Sequence, residues 1–220
     1  SVQAGIDDKM LETYAVGEAV TLVDNSKWHV LKDSAGTETT VTLLSDYNLN
    51  SSYEYDTTCG KSINDTTTCS PIKFDTENVR LTENNSYCTT PEYGCNMYEK
   101  NNSTVTVDST LKTWLDNNYI PKLKNSLTTN RGTTDDLYVT IPSMDDLAKA
   151  DGKTFNQTQI SFTKDFLSET NYWTKTASKS NSSYVWYVVG NNSNSYVQYA
   201  NNDTQIGIRP MIITSKLNIK

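Results

Sequence analysis

The sequence predicts an α+β fold built on antiparallel sheets, and three observations carry that prediction. Residues 16–44 read as strand, turn and strand in succession. Two amphipathic helical segments follow, opening near Asp108 and at Ser143. The chain then returns to strands and turns over residues 172–213.

The first meander runs from Val16 to Val23, turns at Asp24-Asn25-Ser26 and returns over Lys27 to Leu31. A second turn at residues 33–36 leads to Thr40-Val-Thr-Leu-Leu44, whose apolar residues alternate in the strand manner. Residues 46–105 keep no steady period and contain all four cysteines. So long an irregular stretch calls for cross-links. Asp108-Ser-Thr-Leu111 is a helix start, and Leu111, Trp114 and Leu115 supply the i, i+3, i+4 stripe. The helix is expected to end or kink at Pro121, with Ile120, Leu123 and Leu127 extending its apolar stripe beyond. Leu137 to Ile141 is strand-like. Ser143 and Asp146 fit a capping box for a short helix whose face is Met144, Leu147 and Ala148, ending at Asp151-Gly152. The remaining strands are Tyr172–Thr176, Tyr184–Val189, Ser195–Tyr199 and Gly207–Ile213, separated by Asn-rich turns. One domain over residues 1–220 is expected, with 1–13 as a lead-in, 46–105 as a cysteine-rich insert and 172–215 as the C-terminal strands.

Composition excludes several functions. Hydrophobic residues make up 35% of the 220, and Asn, Thr and Ser rather than charge fill the deficit. Fourteen Tyr and four Trp argue for a folded chain with a polar, uncharged surface. Net charge is −7 and no Lys/Arg cluster interrupts it, so nucleic acid and anionic lipid surfaces are disfavoured as partners. No apolar run reaches the ~20 residues of a membrane helix, so no membrane insertion is expected. The chain opens on Ser1 without a signal-peptide pattern, and an upstream targeting or anchoring segment is expected to have been removed.

Cys59, Cys69, Cys88 and Cys95 are too widely spaced for zinc or thioredoxin motifs. An even count in a polar segment favours two disulfides and an oxidising compartment. Short local loops favour Cys59–Cys69 and Cys88–Cys95, with nested pairing left open.

Trp28-His-Val-Leu31, Leu111-Lys-Thr-Trp-Leu115, Ile141-Pro-Ser-Met-Asp-Asp-Leu147, Tyr172-Trp-Thr-Lys-Thr176 and Gly207-Ile-Arg-Pro210 occur in an order that resembles a bacterial domain family of unknown function with a C-type-lectin-like fold. Its members belong to surface and secreted proteins and often follow a prepilin-type N-terminal signal. The similarity spans roughly residues 14–215, and its single motifs are short. It implies two helices flanking curled antiparallel sheets, termini brought close together, Trp173 and Trp186 in the core, and C-terminal strands forming an exposed binding face. It also implies an extracellular location and a structural Arg209. The Glu-Pro-Asn, Gln-Pro-Asp and Trp-Asn-Asp triplets of calcium-dependent lectins are absent, as is a match to the paired cysteines of formylglycine-generating enzymes, so fold alone does not set function.

Catalysis has little to start from. His29, the single histidine, sits in a strand without a recognisable nucleophile, and a structural role is expected. Asp7/Asp8, Asp135/Asp136 and Asp145/Asp146 are adjacent pairs that point apart, and the last lies in the first turn of a helix. No metal site, cofactor or enzymatic activity is expected. Nine Asn-X-Ser/Thr sequons follow from composition alone.

The informative segment is the last one. Alternation sends Tyr184 and Trp186 to one face of a strand and Val185, Tyr187 and Val189 to the other. One set is core, which leaves the other in solvent. The expected ligand-binding residues are Tyr184, Tyr187, Asn191, Asn192, Asn194, Tyr196, Gln198, Tyr199, Asn201 and Asn202, the Tyr and Asn mixture that suits recognition. The expected partner is a protein or glycan of a host or neighbouring cell. Sister subunits of a surface filament are the alternative.

Overall fold

A computed structural model of the chain describes residues 2–61, 73–76, 98–99, 108–181, 183–202 and 206–220. The fold is mixed α and β with antiparallel sheets. The lead-in forms a helix, α1 (Val2–Met10), which buries none of its residues. The meander follows as β1 (Ala19–Thr21), β2 (Lys27–Lys32) and β3 (Thr40–Ser45), with Asn25 at φ +68 in the first turn. Asn tolerates that left-handed conformation because its short amide offsets part of the strain. A small hairpin, β4 (Asn48–Leu49) and β5 (Tyr55–Asp56), opens the stretch expected to be irregular.

Ser109 caps α2 (Thr110–Trp114), its side chain accepting from the Lys112 N–H. Pro121 does not end this helix. A single π turn, Leu115–Tyr119, joins α2 directly to α3 (Ile120–Thr129). Pro121 has no N–H to give and its ring crowds the preceding turn. Widening that turn lets the Ile120 N–H reach Leu115 O, and the axis continues. Leu111, Leu115, Tyr119, Leu123 and Leu127 thereby form one buried stripe.

After β6 (Tyr138–Thr140), Ser143 caps α4 (Met144–Ala150) in the expected capping box with Asp146. Gly152, at φ +69, follows the helix end. A short α5 (Asp165–Ser168) precedes β7 (Tyr172–Ala177), β8 (Tyr184–Val188), β9 (Tyr196–Tyr199) and β10 (Met211–Ser215).

The expectation that residues 172–215 form one set of strands is corrected by the topology. β7, β8 and β9 form a three-stranded sheet, whereas β10 lies between β3 and β6 in a five-stranded sheet of order β1-β2-β3-β10-β6. Met211–Ile212–Ile213 pairs with Leu44–Leu43–Thr42 on one side and with Thr140–Val139–Tyr138 on the other. Gly207, in the connection to β10, bridges to Tyr172 and joins the two sheets.

Two apolar clusters hold this arrangement, and each draws on both sheets. The first packs the α2–α3 stripe against Trp28, Val30, Leu43, Ile212, Trp173 and Val185. The second packs Met144, Leu147, Phe166 and Leu167 against Leu44, Met211, Tyr172, Trp186 and Val188. Both ends of the chain meet. Lys220 N–H donates to Thr21 O, and the buried Lys216 Nζ donates to the carbonyls of Glu12 and Ala35. Cys59 is fully buried and held in a disulfide. Cys69, Cys88 and Cys95 lie outside the described residues, and with them the expected pairings.

Candidate functional site

The β7–β8–β9 sheet carries every residue in the expected binding set that lies in a strand. Tyr172 and Trp173 face Val188 and Tyr187 across β7 and β8. Tyr184, Val185, Trp186 and Tyr187 face Tyr199, Gln198, Val197 and Tyr196 across β8 and β9. Directly opposed residues share a face of the sheet.

That register corrects the expectation of one core face and one solvent face. Val185 belongs to the first cluster, with Tyr187 packed against it, while Trp186 and Val188 belong to the second. β8 is covered on both sides. Trp173 and Trp186 are both buried, as expected, but on opposite faces. Trp173 packs edge-on against its partner Tyr187 at 6.1 Å. Trp186 packs edge-on against Phe155 at 5.2 Å and donates its indole N–H to Gln157.

The tyrosines are split in the same way. Tyr184 and Tyr199 form an edge-on pair at 4.6 Å on one face. Tyr187 and Tyr196 oppose each other on the other face. The expected residues therefore do not converge on one flat surface. They wrap the edge strand β9, where Tyr196 and Tyr199 are 52% and 44% exposed. Their hydroxyls stay protonated through the physiological range. The hydrogen bond with Tyr199 raises the Tyr184 pKa, and burial raises that of Tyr187.

The Asn-rich turn before β9 is exposed at Asn191, Asn192 and Asn194. Two of these have structural work as well. Asn191 and Asn192 hold φ of +61 and +56, and Asn192 Oδ1 accepts from Ser168 Oγ. Gln198, Asn201 and Asn202 are half-buried, and Gln198 Oε1 accepts from the Tyr199 N–H. No Asp, Glu, Lys, Arg, His or Cys occurs between residues 184 and 202. The strand and its turn therefore offer hydroxyl and amide hydrogen bonds and aromatic contact, with no group to move a proton at neutral pH.

Supporting residues that the sequence did not single out hold this edge in place. Asn171 Oδ1 accepts from Gly190 N–H, and Ser195 exchanges hydrogen bonds with Ile160 through its N–H and Oγ. Gln157, at φ +58, joins Ala177 O and Lys179 N–H to the Trp186 indole. Each partner is distant in sequence, so no local signal marks them. Two clefts, beside α4 and beside α3, lie elsewhere and are lined by none of the expected binding residues.

The residues considered for catalysis have structural partners. His29 Nδ1 lies 2.6 Å from Asp46 Oδ1, and its ring stacks on Phe166 at 4.9 Å. Asp146 is committed to the capping box. Arg209, 1% exposed, donates to Ser45 O and lies over the Tyr172 ring at 4.9 Å. Burial, opposed by the Arg209 guanidinium, pushes the Tyr172 phenol up to about 12. Comparison with protein-family models, with curated proteins and with solved structures finds no match to this chain.

Proposed function

We propose that this chain is an extracellular, non-enzymatic binding domain of C-type-lectin-like fold that captures a protein or glycan at a cell surface. The observation that carries this reading is the edge strand β9, which presents Tyr196 and Tyr199 on a sheet packed on both faces. Tyrosine offers large contact area with few rotatable bonds, and a packed sheet removes most of the ordering entropy that binding would otherwise cost. Ligand contact is assigned to Tyr196, Tyr199 and Asn194, with Tyr184, Tyr187, Gln198, Asn201 and Asn202 behind them. The resemblance to surface-protein domains supports the location. Two disulfides, Cys59–Cys69 and Cys88–Cys95, are proposed to staple the insert.

The test is a triple variant carrying Tyr196→Ser, Tyr199→Ser and Asn194→Ala, screened with wild type on glycan and host-protein arrays. Capture is expected to disappear while Tm stays put, because all three side chains are exposed. Capture that survives the triple change would refute the assignment.

One observation favours a second reading, a filament subunit. α1 buries no residue, and Val2 and Leu11 are 84% and 67% exposed. A nine-residue helix is marginal in water without packing. Contact with a sister subunit would supply that packing. Electron microscopy showing only dispersed single molecules at high concentration would count against it.

A further inference from the structure

We propose that the cleft between the Asn50–Tyr55 turn and α3 binds an organic cation of the alkylammonium class. The cleft has a volume of about 400 Å³ and lies apart from β9, so the proposal does not rest on the reading given for that strand.

Its walls combine three tyrosines with an excess of negative charge. Tyr55 and Tyr119 contribute to the lining, with their hydroxyls 2.6 Å apart and their rings edge-on at 6.2 Å. Asp24 stands in the wall, held by the Ser26 N–H, the Ser26 hydroxyl and the Ser126 hydroxyl, all uncharged donors. Burial first, then Tyr55 and the Asp24 charge, keep the Tyr119 phenol well above its ordinary pKa, so that hydroxyl stays neutral. At the rim, Lys122 lies 3.6 Å from Glu54 and donates to Ser52 O. Two carboxylates against one ammonium leave the lining with one net negative charge.

Tyr53 adds an independent observation. Its φ of +63 is an outlier for a bulky aromatic, costing about 1–3 kcal/mol. The turn enforces it through bonds from the Ser52 and Glu54 N–H groups to Asn50 Oδ1 and from Tyr53 N–H to Asn50 O. The effect is to set the Tyr53 ring at the cleft, backed by Trp114 at 4.7 Å. Aromatic rings beside unneutralised carboxylate attract a bulky, weakly hydrated cation through their quadrupoles and through charge. The net charge of −7 favours the same ligands at longer range.

The intact chain is titrated with choline and with its uncharged isostere 3,3-dimethylbutan-1-ol, followed by tryptophan fluorescence and NMR shifts, with potassium chloride as the ionic-strength control. Choline is expected to saturate at millimolar concentration or below, and the isostere to bind about tenfold more weakly. Glu54→Gln should weaken choline about two- to fivefold, and Lys122→Met should tighten it by a similar factor. Tyr53→Gly should weaken it about tenfold while Tm holds, since Gly relieves the positive φ as the ring contact is lost. Phosphatidylcholine vesicles separate two sources. Sedimentation with vesicles that choline blocks identifies a lipid headgroup, and choline binding without sedimentation identifies a free solute; both support the proposal. No saturation by choline, equal binding of the isostere, preferential binding of N-acetylglucosamine, or Glu54 and Lys122 changes that act in the same direction would overturn it.

Discussion

Replacing Gly207 with Ala tests the joint between the two sheets. A Cβ at this position would lie 2.3 Å from Asn48 Nδ2 and 2.5 Å from its Cγ, well inside van der Waals contact. Gly207 cannot retreat easily, because its N–H donates to Asn171 O and its carbonyl accepts from Trp173 N–H. Asn48 must move instead. Its fully buried amide donates to the carbonyls of Cys59 at 3.0 Å and Asn171 at 3.1 Å, so both bonds are lost. At about 1–3 kcal/mol for each buried group left unpaired, the loss is about 2–6 kcal/mol. For a chain of this size that corresponds to a Tm lower by roughly 5–20 °C. Urea and thermal unfolding of Gly207→Ala, Asn48→Ala and the double variant measure it. With Asn48 truncated the clash is largely gone, so the second change should add less than about 1 kcal/mol. A wild-type Tm for Gly207→Ala, or strictly additive losses in the double variant, would refute the account of this joint.

Three other outcomes follow from local geometry. Asp151→Asn should lower stability most at neutral pH: burial opposes ionisation of Asp151, but the Thr163 and Lys164 N–H groups, the Thr163 hydroxyl and Lys153 together hold its pKa below the ordinary value. A depressed carboxylate stabilises above its unfolded pKa and loses that contribution as pH falls through the folded one, so the gap between variant and wild type in urea unfolding should shrink below about pH 4. Ser143→Ala should remove about 1 kcal/mol by opening the capping box, read as a lower urea midpoint with an unchanged m-value. Reduction with dithiothreitol should lower Tm by freeing Cys59, with a loss of about 2–4 kcal/mol, and an unchanged Tm would show that its disulfide carries no stability.

Much of the local structure was legible because its causes lie within a few residues. The Ser143–Asp146 capping box closes between side chains three residues apart, and the turn at Asn25 depends on its own φ. Strand alternation placed β2, β3, β7, β8 and β9 to within a few residues, since side chains alternate whatever the partner strand. The candidate site was legible as composition, the Tyr and Asn content of residues 184–202, but not as shape. Alternation says that Tyr184 and Tyr187 point to opposite faces. It does not say that both faces meet a core.

By itself the sequence determined the α+β class, the antiparallel meander, the two capped helices and the aromatic, uncharged character of the C-terminal strands, because periodicity, capping and turn chemistry are short-range. Tertiary structure alone decided that β10 leaves its neighbours in sequence to lie between β3 and β6. It also decided that Pro121 is absorbed by a π turn, and that the tyrosines divide across an edge strand rather than gather on one face. Those outcomes depend on contacts between residues separated by as much as most of the chain. Which apolar surface covers which strand is settled by packing the whole at once, and no window of neighbouring residues contains that information.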